Sequence, residues 1–305
     1  ISKGITPPSH GKHFLFDNSD IMKLLYQVMN FLENKKPIKI CDIGASAIDK
    51  TNFIDDLTNN SYCKLIGFEP NNSEFEKLDK SNPNKKYYNF AIGDGTSKIL
   101  NICKSPGMTS FLEPELEYLS KFHLFSKLSQ IEKKIEVKTK KLDDIEDEID
   151  FLKIDVQGYE SEIIKHGKNK IMNALVVQIE TSPVPLYKKE KTFSYVISQL
   201  EKLGFCLHMF NNINTRTFKP MLIENNPYKG LHHLFQLDCV LIKDFKIIEK
   251  LERDKLIKLI LILFYSFKSY DLVDYLVSLL DKNYNTNFIS EYRKLLSKVK
   301  IGRIY

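Results

Sequence analysis

The chain of 305 residues contains no tryptophan, and its gaps elsewhere say more. Five cysteines (Cys41, Cys63, Cys103, Cys206 and Cys239) form an odd set without a Cys-x-x-Cys pair. Neither a disulfide framework nor a zinc site is indicated. Cys41, Cys206 and Cys239 lie in apolar runs and read as small core residues, which suits a reducing cytoplasm. The seven histidines show no metal-ligand spacing. The most apolar run, Leu259–Phe264, is far short of the roughly 20 residues that span a bilayer, so no membrane span is expected. No signal peptide is visible. Charge of one sign is scarce: the net is +6, and residues 244–305 hold +4 of it as 12 Lys+Arg against 8 Asp+Glu. That is no dense basic face, so nucleic acid is not an expected partner. Internal repeats and low-complexity linkers are also missing.

What is present is an ordinary globular composition, 43% apolar, with room for one large α/β domain and a smaller module. A helical pattern over Asp20–Leu32 ends at Asn34–Pro37. Short apolar runs then alternate with helical patterns. Strands are expected at Ile38–Ile43, Leu65–Phe68, Tyr87–Ile92, Phe151–Ile154, Leu175–Ile179, Phe205–Met209 and Cys239–Ile242, with smaller ones at Ile99–Ile102 and Ile135–Val137. Helices are expected at Lys50–Leu57, Ser73–Leu78, Tyr159–Lys165 and Phe193–Leu203. Such alternation predicts a mainly parallel sheet with helices on both faces. From Ile247 the pattern is helical only, over Ile247–Phe267, Leu272–Leu280 and Phe288–Val299. The expected organisation is an N-terminal helical segment (1–37), an α/β domain (38–243) and a C-terminal helical extension (244–305).

Four strand ends carry candidate chemistry. Cys41-Asp42-Ile43-Gly44-Ala45-Ser46 places small residues where a backbone must approach a ligand, and ligands of open parallel sheets bind at the carboxyl ends of strands. Asp42 would repel phosphate but suits a cationic ligand, such as a sulfonium or ammonium. The bland alternative is an ordinary strand-to-helix turn. Gly67-Phe68-Glu69-Pro70 ends the second strand with a carboxylate able to accept both hydroxyls of a ribose. A dinucleotide fold uses the same device, but residues 44–49 lack the G-x-G-x-x-G turn. Asp155, in Leu152-Lys153-Ile154-Asp155-Val156-Gln157-Gly158-Tyr159-Glu160, ends the central strand, as a substrate-orienting group, a base, a metal ligand or a helix N-cap. Glu180 ends the next strand 25 residues on, facing the same cleft or simply solvated.

Together these segments resemble the FkbM family of S-adenosylmethionine-dependent methyltransferases. The match runs in order through Asp42–Ser46, Ile66–Pro70, Tyr88–Asp94, Phe151–Glu160, and Glu180 followed by Pro185-Leu186-Tyr187. Ser105-Pro106-Gly107 and Ser110–Pro114 look like a family loop, and Leu203-Gly204-Phe205 with Asp238 resembles its last features. The likeness covers roughly residues 38–243. It implies a class I methyltransferase, Rossmann-like α/β fold of seven mostly parallel strands with one reversed near the edge. It implies S-adenosyl-L-methionine held by Asp42, Gly44, Ala45 and Ser46, with Glu69 and Pro70 at the ribose and Asn89, Ala91 and Ile92 near the adenine. It implies O-methylation, often of a sugar hydroxyl in a surface glycan or a natural-product scaffold. The family usually carries glycine at the position of Ile48 and often at Ala47, and side chains there would narrow the methionine pocket.

Asp155 is the first candidate base and Glu180 the second. Sharing of Mg²⁺ by the two is the alternative, weakened by the lack of a third evident ligand. The expected acceptor is a small molecule or glycan, and the tail helices are expected to pack on the domain or on a second subunit, as in a homodimer. Two rival readings stand: methylation of nucleic acid or protein, and a methyltransferase-like module that only binds.

Overall fold

The computed structural model describes residues 36–45 and 52–297. The expected helix over Asp20–Leu32, together with Ser46, Ala47 and Ile48, lies outside the described residues.

The central sheet has seven strands in the order β3-β2-β1-β7-β8-β10-β9. Their ranges are β1 Ile38–Ile43, β2 Cys63–Phe68, β3 Lys85–Tyr88, β7 Phe151–Ile154, β8 Val176–Thr181, β9 Phe205–Arg216 and β10 His233–Lys243. β1, β2, β3, β7 and β8 are parallel. β10 runs antiparallel to both neighbours, the reversed strand one place in from the edge. This is the class I methyltransferase α/β fold. The parallel strands read as continuous apolar runs because both their faces are covered. Alternation along β1 sends Ile38 and Ile40 to one core and Cys41 and Ile43 to the other. The helices Glu160–Lys165, Lys168–Asn173 and Phe193–Glu201 cover the second face.

The first face is covered by the helix Asn52–Asn59 and by the tail. Arg253–Phe267 buries eleven of its residues, Leu256–Tyr265 and Phe267, as a helix hydrophobic all round must. It lies between the sheet and the helices Tyr270–Tyr284 and Phe288–Ser297, and all three share one core with Ile40, Phe151, Val176 and Val240. A polar tie joins tail to sheet at Asp150. Asp150, 1% exposed, accepts from Lys258 Nζ at 2.6 Å, Lys255 Nζ at 2.9 Å and the Lys39 N–H at 2.9 Å. Among the described residues no helix is long and apolar enough to cross a membrane.

Several expectations on element limits change. Tyr87–Ile92 is not one strand: β3 ends at Tyr88, and β4 (Ala91–Ile92) joins a separate small sheet with β5 (Ser97–Cys103) and β6 (Ile131–Lys140), ordered β4-β6-β5. The chain leaves the large sheet at Asn89 and Phe90 to reach β6, which an unbroken apolar pattern cannot reveal. The helix expected over Ile247–Phe267 is two helices, Phe245–Ile248 and Arg253–Phe267, the first capped by Asp244 accepting the Lys246 N–H at 2.9 Å. β9 and β10 run further than expected, because the largely polar outer half of β9, residues 211–216, pairs with residues 233–238 of β10.

Candidate active site

A cleft of about 260 Å³ opens at the carboxyl ends of the strands, over β1, β2, β7 and β8. Its floor depends on Gly44. This residue sits at φ +86°, a left-handed conformation that favours glycine, and a Cβ there would lie 1.9 Å from the Asp155 carbonyl oxygen. The β1 loop is therefore packed directly on the end of β7. It is tied to β2 as well, since the Gly44 and Ala45 N–H groups both donate to the Phe68 carbonyl, at 3.0 and 3.1 Å. The Asp155 N–H donates to Ile43 O at 2.9 Å. Three strand ends thus become one rigid rim.

Gly44, Glu69, Pro70, Ala91 and Ile92 line the cleft, as do Asp155 and Glu180. Asp42, Ala45 and Asn89 are not among the lining residues. Asp42 stands opposite Lys153 in the β1–β7 register, 3.6 Å from its Nζ. Ala45 is buried beneath the rim, and Asn89 is exposed. The Glu69 carboxylate is 7% exposed, and its Oε1 accepts the Asn71 N–H at 2.6 Å. Burial first, then the neighbouring charges of Glu74, Asp42 and Asp155, push its pKa up to about 7. A buried, anionic wall of this kind fits a ligand with hydroxyl donors and positive charge.

The other end of the cleft holds a linked pair of carboxyl groups. Gln157 occupies left-handed backbone (φ 56°), and its Nε2 donates to Asp155 Oδ1 at 2.8 Å and to Glu180 Oε2 at 2.5 Å. Its amide cannot turn over without loss, because Oε1 accepts from the buried Tyr187 hydroxyl at 3.0 Å. Its backbone carbonyl accepts from Ser110 Oγ at 2.6 Å, bringing the Ser105–Pro114 loop over the site. Burial raises the pKa of Glu180 well above the usual carboxyl range, helped by the charges of Asp155 and Asp238 and by a hydrogen bond to Asp155. Asp155 and Glu180, drawn from separate strands, are therefore brought together, and the pair as a unit favours holding a proton.

Gln157 had no role in the sequence reading. Only its place between Asp155 and the left-handed Gly158 (φ +94°) hinted at a turn. Two further buried acids also escaped notice. Glu160 Oε1 accepts the N–H groups of Val156 (3.2 Å) and Gly158 (3.0 Å), and burial lifts its pKa to about 8. Glu190 Oε2 accepts from the Leu186 (2.5 Å) and Tyr187 (2.9 Å) N–H groups, and burial lifts it to about 7. Both fix the loops that carry Gln157 and Tyr187. Among the described residues no group of three or more His, Cys, Asp or Glu side chains is arranged to hold a metal ion.

The model of the methyltransferase FkbM domain matches residues 42–207, more than half of the chain. No curated protein matches. Among solved structures, a methyltransferase FkbM from Methylobacillus flagellatus is 13% identical, with 75% of this chain and 56% of that chain covered and a TM-score of 0.35. A TehB-like S-adenosylmethionine-dependent methyltransferase from Corynebacterium glutamicum is 12% identical, covering 72% and 88% respectively, with a TM-score of 0.33. The 1,6-didemethyltoxoflavin-N1-methyltransferase of Burkholderia thailandensis, solved with 1,6-didemethyltoxoflavin and S-adenosylhomocysteine, is 8% identical, covering 75% and 80%, with a TM-score of 0.34.

Proposed function

The chain belongs to the FkbM family of S-adenosylmethionine-dependent methyltransferases, and from that premise we propose that it transfers a methyl group to a hydroxyl of a small molecule or glycan, the hydroxyl being that of a sugar. The observation that carries this reading is the Asp155–Gln157–Glu180 unit at one end of a cleft whose other end is the Glu69 wall. S-adenosylmethionine supplies an activated methyl on a sulfonium when bound. Gly44 lets the loop backbone lie close to that ligand, and Glu69 accepts a ribose hydroxyl. Ala91 and Ile92 offer the adenine an apolar wall, with Pro70 at its rim. The anionic character of the cleft suits the sulfonium and ammonium charges.

Asp155 takes the proton of the acceptor hydroxyl as the methyl arrives, an effect worth roughly 10²–10⁴-fold in rate. Glu180, whose burial favours its protonated form, orients the acceptor oxygen. Gln157 holds both carboxyl groups in place through one amide nitrogen. Ser110, Thr109 and Gln236 line the same end and provide the hydroxyl and amide groups that a sugar's remaining hydroxyls require. Residues 38–243 serve as the catalytic domain and residues 244–305 as a helical extension of it. The expected setting is the cytoplasm.

The test is calorimetry with S-adenosylhomocysteine, followed by transfer of labelled methyl to a panel of sugar-bearing acceptors. Affinity for the nucleoside together with labelled, base-stable methyl ether products supports the reading. No binding at millimolar nucleoside sinks it, and label found only on amines or nucleobases moves the acceptor to the rival class.

A further inference from the structure

The helix Asn72–Phe75, after β2, carries a second buried carboxylate into the cleft wall. Glu74 is 4% exposed and lines the cleft beside Pro70 and Asn71. Its Oε1 accepts from Lys77 Nζ at 2.6 Å, and that lysine's side chain is 58% exposed. Its Oε2 is buried and accepts no hydrogen bond from any described residue. A buried carboxylate oxygen without a donor is costly, because it has given up water for nothing. Glu74 is also close enough to Glu69 for its charge to raise the Glu69 pKa. Two carboxylates set side by side at one end of a cleft repel each other.

A ribose offers two vicinal hydroxyl donors. Glu69 has one oxygen engaged by the Asn71 N–H, so a single residue meets the diol with only part of its accepting capacity. We propose that Glu74 is a second ribose-binding carboxylate, its Oε2 accepting one of the two vicinal hydroxyls of the cofactor nucleoside while Glu69 accepts the other. The inference rests on the cofactor occupying this cleft. The effect of Glu74 is read in cofactor affinity and ribose selectivity.

The experiment is calorimetry on the full chain, wild type and Glu74→Gln, with S-adenosylhomocysteine and its 2′-deoxy and 3′-deoxy ribose forms. Thermal unfolding of both proteins confirms that the variant is folded. A hydrogen bond to a charged acceptor is worth about 1.5–3 kcal/mol, so Glu74→Gln should weaken S-adenosylhomocysteine roughly 10- to 100-fold. That penalty should shrink several-fold for one deoxy form and persist for the other. A folded variant that binds S-adenosylhomocysteine like the wild type overturns the inference alone. So does a penalty of equal size for all three ligands, which assigns Glu74 to the general charge of the cleft. Wild-type protein that binds none of them overturns the functional reading and this inference with it.

Discussion

Replacing Gly44 by alanine tests the rim on which the cofactor reading depends. The residue sits at φ +86°, where an L side chain costs about 1–2 kcal/mol. The new methyl would lie 1.9 Å from the Asp155 carbonyl oxygen and 2.9 Å from its carbon, against an ordinary C···O contact of about 3.3 Å. Backbone must therefore move by more than about 1 Å. The bonds nearest that movement are Asp155 N–H to Ile43 O, at 2.9 Å, and Gly44 N–H to Phe68 O, at 3.0 Å. Losing one buried backbone hydrogen bond adds about 1–3 kcal/mol. The sum is roughly 2–5 kcal/mol, which for a domain of this size lowers the thermal midpoint by about 4–20 °C. Scanning calorimetry measures the midpoint, and titration with S-adenosylhomocysteine measures the site. Both should fall together, because the same contact joins the β1 loop to the end of β7. A midpoint within about 2 °C of the wild type, with unchanged affinity, would show that the two strand ends are not locked and would refute the reasoning.

Asp155→Asn should reduce turnover by about 10²–10⁴-fold while S-adenosylhomocysteine affinity stays within a few-fold, as read by steady-state kinetics beside calorimetry; full activity would leave Asp155 as a structural residue. Glu69→Gln should separate stability from binding. A buried carboxyl with its pKa raised from 4.5 to about 7 makes the folded state hold its proton longer than the unfolded state. Glu69 should therefore contribute to the unliganded wild type a decline in stability of at most about 3 kcal/mol as pH rises from about 4.5 to 7, beside the declines from Glu160 and Glu190. The Gln variant should decline less steeply by that share and yet bind S-adenosylhomocysteine more weakly; identical stability–pH curves for the two proteins would contradict this. Asp150→Ala leaves the buried Lys258 (8% side-chain exposure) without its anion, at a cost of about 3–5 kcal/mol. Chemical denaturation should register it, and a change under about 1 kcal/mol would mean that the Asp150 ion pair does not hold the tail.

The parallel core was legible because its strands are short apolar runs buried on both faces: Ile38–Ile43 and Phe151–Ile154 appear with the expected limits. Pairing that depends on distant chain was not. Nothing between Tyr87 and Ile92 marks where the chain changes sheets. The largely polar outer half of β9 is a strand because it pairs with β10. Gly44, Glu69, Asp155 and Glu180 were legible because each ends a strand at the open edge of a parallel sheet. Gln157, Glu74, Glu160 and Glu190 were not, since each does its work through partners that sequence spacing does not name. Gln157 reaches Tyr187 across 30 positions, and Glu74 stands out only because it is buried.

The position of Arg253–Phe267 bears on the order in which the fold can be completed. β1 is made more than two hundred residues before the helix that covers Ile38 and Ile40. As the chain leaves the ribosome, the sheet can pair its strands, yet one apolar face stays in water until the segment around 253–297 has emerged. Contacts of such long sequence separation are slow to form, and an uncovered apolar face is a site of aggregation in the interval. Chaperone dependence during synthesis, and a long delay between secondary-structure formation and acquisition of native stability on refolding, are the consequences for anyone producing the protein or fusing a partner after its last helix.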